Sequence, residues 1–386
     1  MLKSDLSQKE RQAAWRAIQW PSHATELHVH LGGSVPLYRL WEIAITRGIR
    51  GLGDGYEDFI AALKRDENKI SSLDEYLEIY DRVELIQSGP DAVRESVIIA
   101  VHRAYMDGGT VTTGQGGEPT PNEPLFAVSR IELRFNPMKR TGAVFLKGEH
   151  AGLYDVDRII RAACTAIADC QLGFKNKIQG GLLICFGRDM TFEANRILAE
   201  KVRAWSEEES TIRGLDLAGP ESVNSLSDPA ELKKMREIFD IAGPNLGRTI
   251  HVGETPHVDL PTFIQTIEML EPQRVAHPIV ALRSYLEGGN KDGLTLLKER
   301  NIVCELCVHS NLLTGAVSSL EEYGKIVETL DEFEIPYTFS TDAPSLQVTT
   351  LASELYHLFI AGGINEEQIL RSFEVADRAS FLLPHS

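Results

Sequence analysis

Positive charge is what this sequence lacks most. Its 386 residues carry 39 Lys and Arg against 56 Asp and Glu, a formal net charge of −17. A surface that coats nucleic acid or lies on an anionic membrane needs the opposite balance, so neither partner is expected. A small anionic ligand held by a few local donors stays open. Cysteine is sparse and odd in number, five in all, which argues against a disulfide framework and for a reducing, cytoplasmic setting. No run long enough to span a bilayer occurs. The opening stretch MLKSDLSQKERQAAWRAIQW is polar and helical in pattern, unlike a secretory leader. Two phosphate-cradling signatures are missing as well. No GxGxxG opens a helix after a strand, and the glycines of GGTVTTGQGGEPTPNEP at 108–124 lack the Lys-Ser/Thr of a P-loop. What remains, 43% apolar and 25% charged residues, is the mix of a globular chain with ample core.

Short β-branched and apolar runs recur at 25–30, 127–135, 180–186, 212–218, 248–253, 273–277, 302–308 and 336–341. Amphipathic segments at 191–209, 229–242, 260–271, 316–332 and 349–360 separate the later ones. A parallel crossover needs about a dozen residues or more, and these connections have that length. The pattern predicts a single (β/α)8 TIM barrel over residues 1–386, with an open doubly wound sheet as the runner-up. One connection is far longer than a loop. Within it Ser72-Leu73-Asp74-Glu75 has the form of a capping box, and Leu73, Tyr76, Leu77, Tyr80 and Val83 fall at helical spacing. Further helices are expected over 56–65 and 91–106. Residues of about 37–124 therefore read as a helical insertion after strand 1, ending in a mobile Gly- and Pro-rich loop at 108–124.

In such a barrel, function sits at the C-terminal ends of the strands. The first run ends His28-Val29-His30, and period-two alternation sends both imidazoles to one face. The fifth ends His251-Val252-Gly253-Glu254, the sixth ends at His277, and the eighth ends Ser340-Thr341-Asp342. Singly, each is equally a core histidine, a helix cap or a loop carboxylate. Together they gather four histidines and two carboxylates, and three histidines with an aspartate are a set suited to one Zn²⁺ per chain with a position left for water, although it accepts other divalent ions. The fourth run, GLDLAG at 214–219, has no lysine to bridge a second metal, which favours a single ion. Cys304 and Cys307 form a CxxC, but positions three apart on a strand face opposite ways. Arg134 reads as the partner of a buried carboxylate such as Asp216. His257 and His309 fall near the barrel mouth, and Glu221 reads as a helix cap.

HVHLGGS at 28–34, ELRFNP at 132–137, GLDLAGPE at 214–221, HVGE at 251–254, RVAH at 274–277 and STDAP at 340–344 resemble, in order, the motifs of the adenosine deaminase family. SSLDEYLEIYD at 71–81 resembles the helix that roofs the pocket there. The resemblance implies a hydrolytic deaminase of a 6-aminopurine nucleoside or nucleotide. It makes His28, His30, His251 and Asp342 the zinc ligands, with His30 also against substrate. It makes Glu254 the acid that protonates purine N1, His277 the group orienting the attacking water with Asp342 beside it, and Gly219 a backbone donor to purine N3. Two positions depart from the family. Gly32 stands where adenosine-specific members carry an acidic residue on the ribose 5′-hydroxyl, and Ala343 where they carry an aspartate on purine N7. Gly32 and Ser34 are then open to a 5′-phosphorylated or otherwise 5′-substituted substrate. Adenine or another aminopurine is the alternative within enzymes, and a non-catalytic purine sensor the alternative outside them. A homo-oligomer is compatible with the sequence.

Overall fold

The computed structural model describes residues 6–49, 52–53, 55–63, 72–112, 124–142, 154–209 and 211–383. Its strands are β1 (His23–His30), β2 (Ala127–Phe135), β3 (Gln179–Gly187), β4 (Ile212–Ala218), β5 (Gly247–His251), β6 (Arg274–Ala276), β7 (Val303–Leu306) and β8 (Tyr337–Phe339). They pair in parallel and in chain order. The ring closes between the end of β1 and the residues beyond β8. There the His30 amide donates to the Asp342 carbonyl at 2.7 Å, and the Asp342 amide to the His28 carbonyl at 2.9 Å. The expected (β/α)8 barrel is the fold. Its strands are covered on both faces, which is why they read as apolar runs: Leu27, Leu133, Leu183, Leu215 and Leu217 are all fully buried.

The later strands are shorter than the apolar runs that announced them. β5 stops at His251 because the chain turns at Gly253, whose φ is +85°. β6 stops at Ala276 and β8 at Phe339, where His277 (φ 52°) and Asp342 (φ 61°) take left-handed backbone. β7 stops at Leu306, and Val308–Leu313 is already helix. A left-handed residue other than glycine costs on the order of 1–3 kcal/mol and leaves no trace in hydrophobic pattern.

The long insertion is helical over Leu37–Thr46, Tyr56–Leu63, Leu73–Ile86 and Pro90–Asp107. Ser72 caps the third of these, its hydroxyl accepting the Glu75 amide at 3.3 Å. Leu40, Ile43, Phe59, Leu63, Tyr76 and Val83 form an apolar cluster of their own beside the barrel core, and Ala343 belongs to it. Of the Gly- and Pro-rich loop, residues 113–123 lie outside the described ones, as does the far end of the helix expected over 56–65. Among the described residues no helix is long and apolar enough to cross a membrane.

Candidate active site

The alternation of β1 places His28 and His30 on the same side, where β5 and the turn after β8 bring His251 and Asp342 to meet them. His30 Nε2 lies 3.1 Å from His251 Nε2, which lies 3.2 Å from His28 Nε2. Asp342 Oδ1 is 3.7 Å from His28 Nε2 and 3.5 Å from His30 Nε2. The opposite ring nitrogens fix the tautomers. His28 Nδ1 donates to Glu305 Oε2 at 2.8 Å, and His251 Nδ1 to Asp216 Oδ1 at 3.1 Å. With hydrogen on both Nδ1 atoms, the Nε2 lone pairs of His28 and His251 face each other with no proton between them. A divalent cation resolves that repulsion, and carboxylate-oriented imidazoles are its usual setting. Burial drives the His28 imidazole well below its ordinary pKa, with Arg134 adding to the effect, and pushes His30 down to about 3. For His251 burial works the same way, but the Asp216 carboxylate outweighs it and the net shift is upward. Buried Asp342 is held below the usual carboxylate range by the imidazoles around it and by Ser310, which donates to its Oδ2 at 2.6 Å.

Glu254 stands beside this set, 6% exposed. Its Oε1 accepts from Asn311 Nδ2 at 3.2 Å and from Thr314 Oγ1 at 3.1 Å. Burial raises its pKa, helped by Asp342 and Glu221 and opposed by His277 and His251. The shift is toward the acid form, and because Oε1 already accepts from two donors, Oε2 is the oxygen left to carry a proton. Asn311 Nδ2 also lies 3.0 Å from His277 Nδ1, while Tyr323 donates to Asn311 Oδ1 at 3.2 Å. In this network His277 accepts at Nδ1 and keeps its hydrogen on Nε2. The backbone carrying Glu254 is clasped by Glu221, whose carboxylate accepts the amides of Gly253 at 2.7 Å and Thr255 at 2.9 Å. That corrects the sequence reading of Glu221 as a helix cap: Asp228 caps the next helix.

A cavity of about 420 Å³ opens over these groups. His30, His251, Glu254, His277 and Asp342 line its floor, Gly32 and Gly219 (φ +100°) its walls, and Tyr76 and Tyr80 of helix Leu73–Ile86 its roof. Across the mouth Ser222 Oγ donates to Asp74 Oδ1 at 2.8 Å. Two residues expected against substrate are elsewhere, a second correction. Ser34 turns its hydroxyl back to the His30 carbonyl at 2.6 Å and lines a different cleft. Ala343 is fully buried in the apolar cluster of the insertion. Both follow from the tight turn at Leu31–Gly33, where a Cβ on Gly33 would sit 2.3 Å from Ala343 Cβ. His257 is exposed and outside the cavity lining.

Beneath the site the barrel interior is ionic. Arg134 pairs with Asp216 at 3.3 Å, as its sequence position implied, and with Glu305 at 2.9 Å, while Arg274 pairs with Glu132 at 2.6 Å and Glu305 at 2.8 Å. Cys307, without Cys304, lies close to His28 and His277. Burial pushes its thiol well above the ordinary value, which makes it a poor ligand. The sequence reading missed Glu305, Ser310, Asn311, Thr314, Lys139 and Arg140. The first sits inside an apolar run. The next three were hidden by extending β7 through Val308. Lys139 and Arg140 lie on a 3-10 turn just past β2, at the end of the barrel where chemistry was expected.

Similarity to known proteins runs along most of the chain. Residues 127–385 match the family model described as adenosine deaminase. The adenosine deaminase of Plasmodium gallinaceum is 26% identical over 368 residues, covering 95% of this chain and 87% of its own. In three dimensions the chain is similar to the N6-mAMP deaminase of Arabidopsis, with a TM-score of 0.70, 21% identity and 93% of each chain covered. It is also similar to an amidohydrolase from Burkholderia ambifaria with bound Zn, with a TM-score of 0.73 and 14% identity, covering 98% of this chain and 90% of that one. The family match spans well over half of the sequence and contains all but one of the residues that line the cavity floor, so the chain belongs to the adenosine deaminase family.

Proposed function

We propose that this protein deaminates a 6-aminopurine nucleoside or nucleotide by hydrolysis, releasing ammonia and the 6-oxo product. One observation carries the reading: a buried glutamate, one oxygen of which accepts from both Asn311 and Thr314, stands beside three convergent imidazoles and an aspartate. His28, His30, His251 and Asp342 would hold one divalent ion, and a nitrogen-rich set of this kind suits Zn²⁺. Such an ion supplies Lewis acidity, which lets a water molecule give up a proton near neutral pH.

The chain's own groups do the rest. Purine C6 is a weak electrophile until N1 carries a proton, and Glu254 Oε2 gives that proton. Asn311 and Thr314 hold Oε1 as the acceptor, so the donating oxygen faces the cavity. His277 Nε2–H holds the oxygen of the incoming water while Asn311 pins the far side of the ring. Asp342, steadied by Ser310, lies next to where the proton of that water departs. The water oxygen bonds to C6, the C6–N6 bond breaks, and the amine leaves as ammonia with one proton of the water, while the other passes from the new C6 oxygen back to Glu254 as the 6-oxo group forms. Gly219, on left-handed backbone at the wall, offers its amide to the opposite edge of the purine, and Tyr76 and Tyr80 exclude bulk water from above.

The test is amine release by the zinc-loaded protein, methylamine from N6-methyl-AMP and ammonia from adenosine, 2′-deoxyadenosine, AMP, dAMP, a 5′-thioether adenosine and adenine. Turnover of at least one nucleoside or nucleotide is expected. Zinc-loaded, folded protein that releases neither ammonia nor methylamine from any of them would sink the reading.

A further inference from the structure

Once the amine-bearing carbon of a purine faces Glu254 and the imidazoles, the sugar on its opposite edge points outward along the cavity. What meets it there is a group of donors that the deamination step does not use. We propose that Lys139 and Arg140, uncovered by the missing side chain of Gly32, form a subsite for a 5′-phosphate, so that the substrate is a 6-aminopurine nucleotide. This rests on the deaminase reading for the direction in which the purine lies.

Arg140 is only 2% exposed, yet its guanidinium is poorly matched. Nη1 lies 3.3 Å from Glu84 Oε1 without hydrogen-bond alignment, and among the described residues neither Nε nor Nη1 has a hydrogen-bond partner. A buried guanidinium with idle donors is costly to keep unless something accepts from it, and a phosphate accepts in the forked geometry it offers. Gly32 is what leaves the guanidinium open. A Cβ at that position would stand 3.3 Å from Arg140 Nη2 and 2.9 Å from the Tyr80 ring, so any side chain there would crowd both. Lys139 adds a second cation on the same wall. Its Nζ contacts Asp189 Oδ2 at 2.6 Å and retains two further donors. Glu84 and Asp189 offset these two cations and Asp81 lines the same cavity, so what an arriving dianion meets is the idle N–H groups of Arg140 and Lys139 rather than net positive charge. Arg140 and Lys139 are consecutive on a short turn tied to the insertion through the Gly89 amide, which donates to the Arg140 carbonyl at 2.8 Å. Both are therefore held in place before any ligand binds.

The experiment is isothermal titration of the full-length protein with inosine 5′-monophosphate and with inosine, product-like ligands that undergo no deamination. The nucleotide is expected to bind at least about tenfold more tightly, a margin that narrows as salt is raised. Arg140→Gln should bring the two ligands to within about twofold of each other, and Lys139→Gln, at a partly exposed position, should cut the margin by about three- to fivefold. Inosine binding as tightly as its nucleotide in the natural protein overturns the subsite, and so does a margin that survives in both variants. Lys139→Gln keeps the test sharp should Arg140→Gln melt early. The two readings fail separately. Ammonia from adenosine with no nucleotide preference leaves the deaminase standing and removes the subsite. A nucleotide preference in a protein that deaminates nothing does the reverse.

Discussion

At the residue scale the site divides proton work between groups whose hydrogen bonds leave each one role. Glu254 has two donors on Oε1, so replacing it with glutamine keeps those contacts and removes the transferable proton. Glu254→Gln should lower kcat by about 10³-fold or more, with metal content and melting temperature close to the parent's. Folded, metal-loaded variant with near-normal turnover would remove Glu254 from the reaction. Asn311 acts through others, since it touches both Glu254 and His277. Asn311→Ala should cost about tenfold to a hundredfold in kcat with little change in KM, because orientation of the acid and the water-holding imidazole is lost while the purine contacts stay. A loss confined to KM would contradict the positioning role. Most of the titratable set could be read from sequence because it sits on strand ends with regular spacing. Asn311, Thr314 and Glu221 could not, because a buried amide, hydroxyl or carboxylate gives no pattern until the fold says what it touches.

At the element scale, what was legible was periodicity. The eight strands appear in order in the sequence because both faces of a parallel sheet are apolar, and β2 and β4 end where their runs end. The elements that misled are those where the chain leaves regular geometry to build the site. Left-handed His277 and Asp342 and the helix starting at Val308 are local departures that hydrophobic runs continue across. The same ends carry charge inward. Glu305 of β7 accepts from His28 Nδ1 and Arg134 on one oxygen and from Thr249 on the other, which also forms an ion pair with Arg274. Glu305→Gln keeps the shape but withdraws the anion between two buried arginines, which should destabilise the fold by about 3–5 kcal/mol. It also frees the His28 tautomer, and metal affinity should fall by about tenfold to a hundredfold. Urea unfolding reads the first effect and chelator competition the second. Unchanged metal affinity in the folded variant would mean that the carboxylate does not orient His28.

At the scale of the whole molecule, barrel and insertion share buried acids whose ionisation the fold opposes. Glu354, at the start of helix Leu351–Ala361, is 2% exposed and accepts the His309 amide at 2.8 Å and Thr349 Oγ1 at 2.6 Å. Burial raises its pKa from 4.5 to about 8, with Glu26 and Asp342 adding to the rise and the two donors opposing it. The folded chain thus holds this proton more tightly than the unfolded chain. Where the native state binds more protons, stability falls as pH rises. The contribution of Glu354 is therefore complete below about pH 4.5, declines between there and about pH 8, and is flat above. Glutamine at this position mimics the protonated acid and does not ionise. The melting temperature of Glu354→Gln minus that of the parent should accordingly climb by several degrees between about pH 5 and pH 8. Taking the difference removes the part of the curve that Glu26 bends independently of Glu354, its own burial raising its pKa to about 7. A gap of constant size across that range would show that Glu354 ionises in the folded protein as readily as in the unfolded chain, and that the helix carrying it admits water that the packing around it excludes.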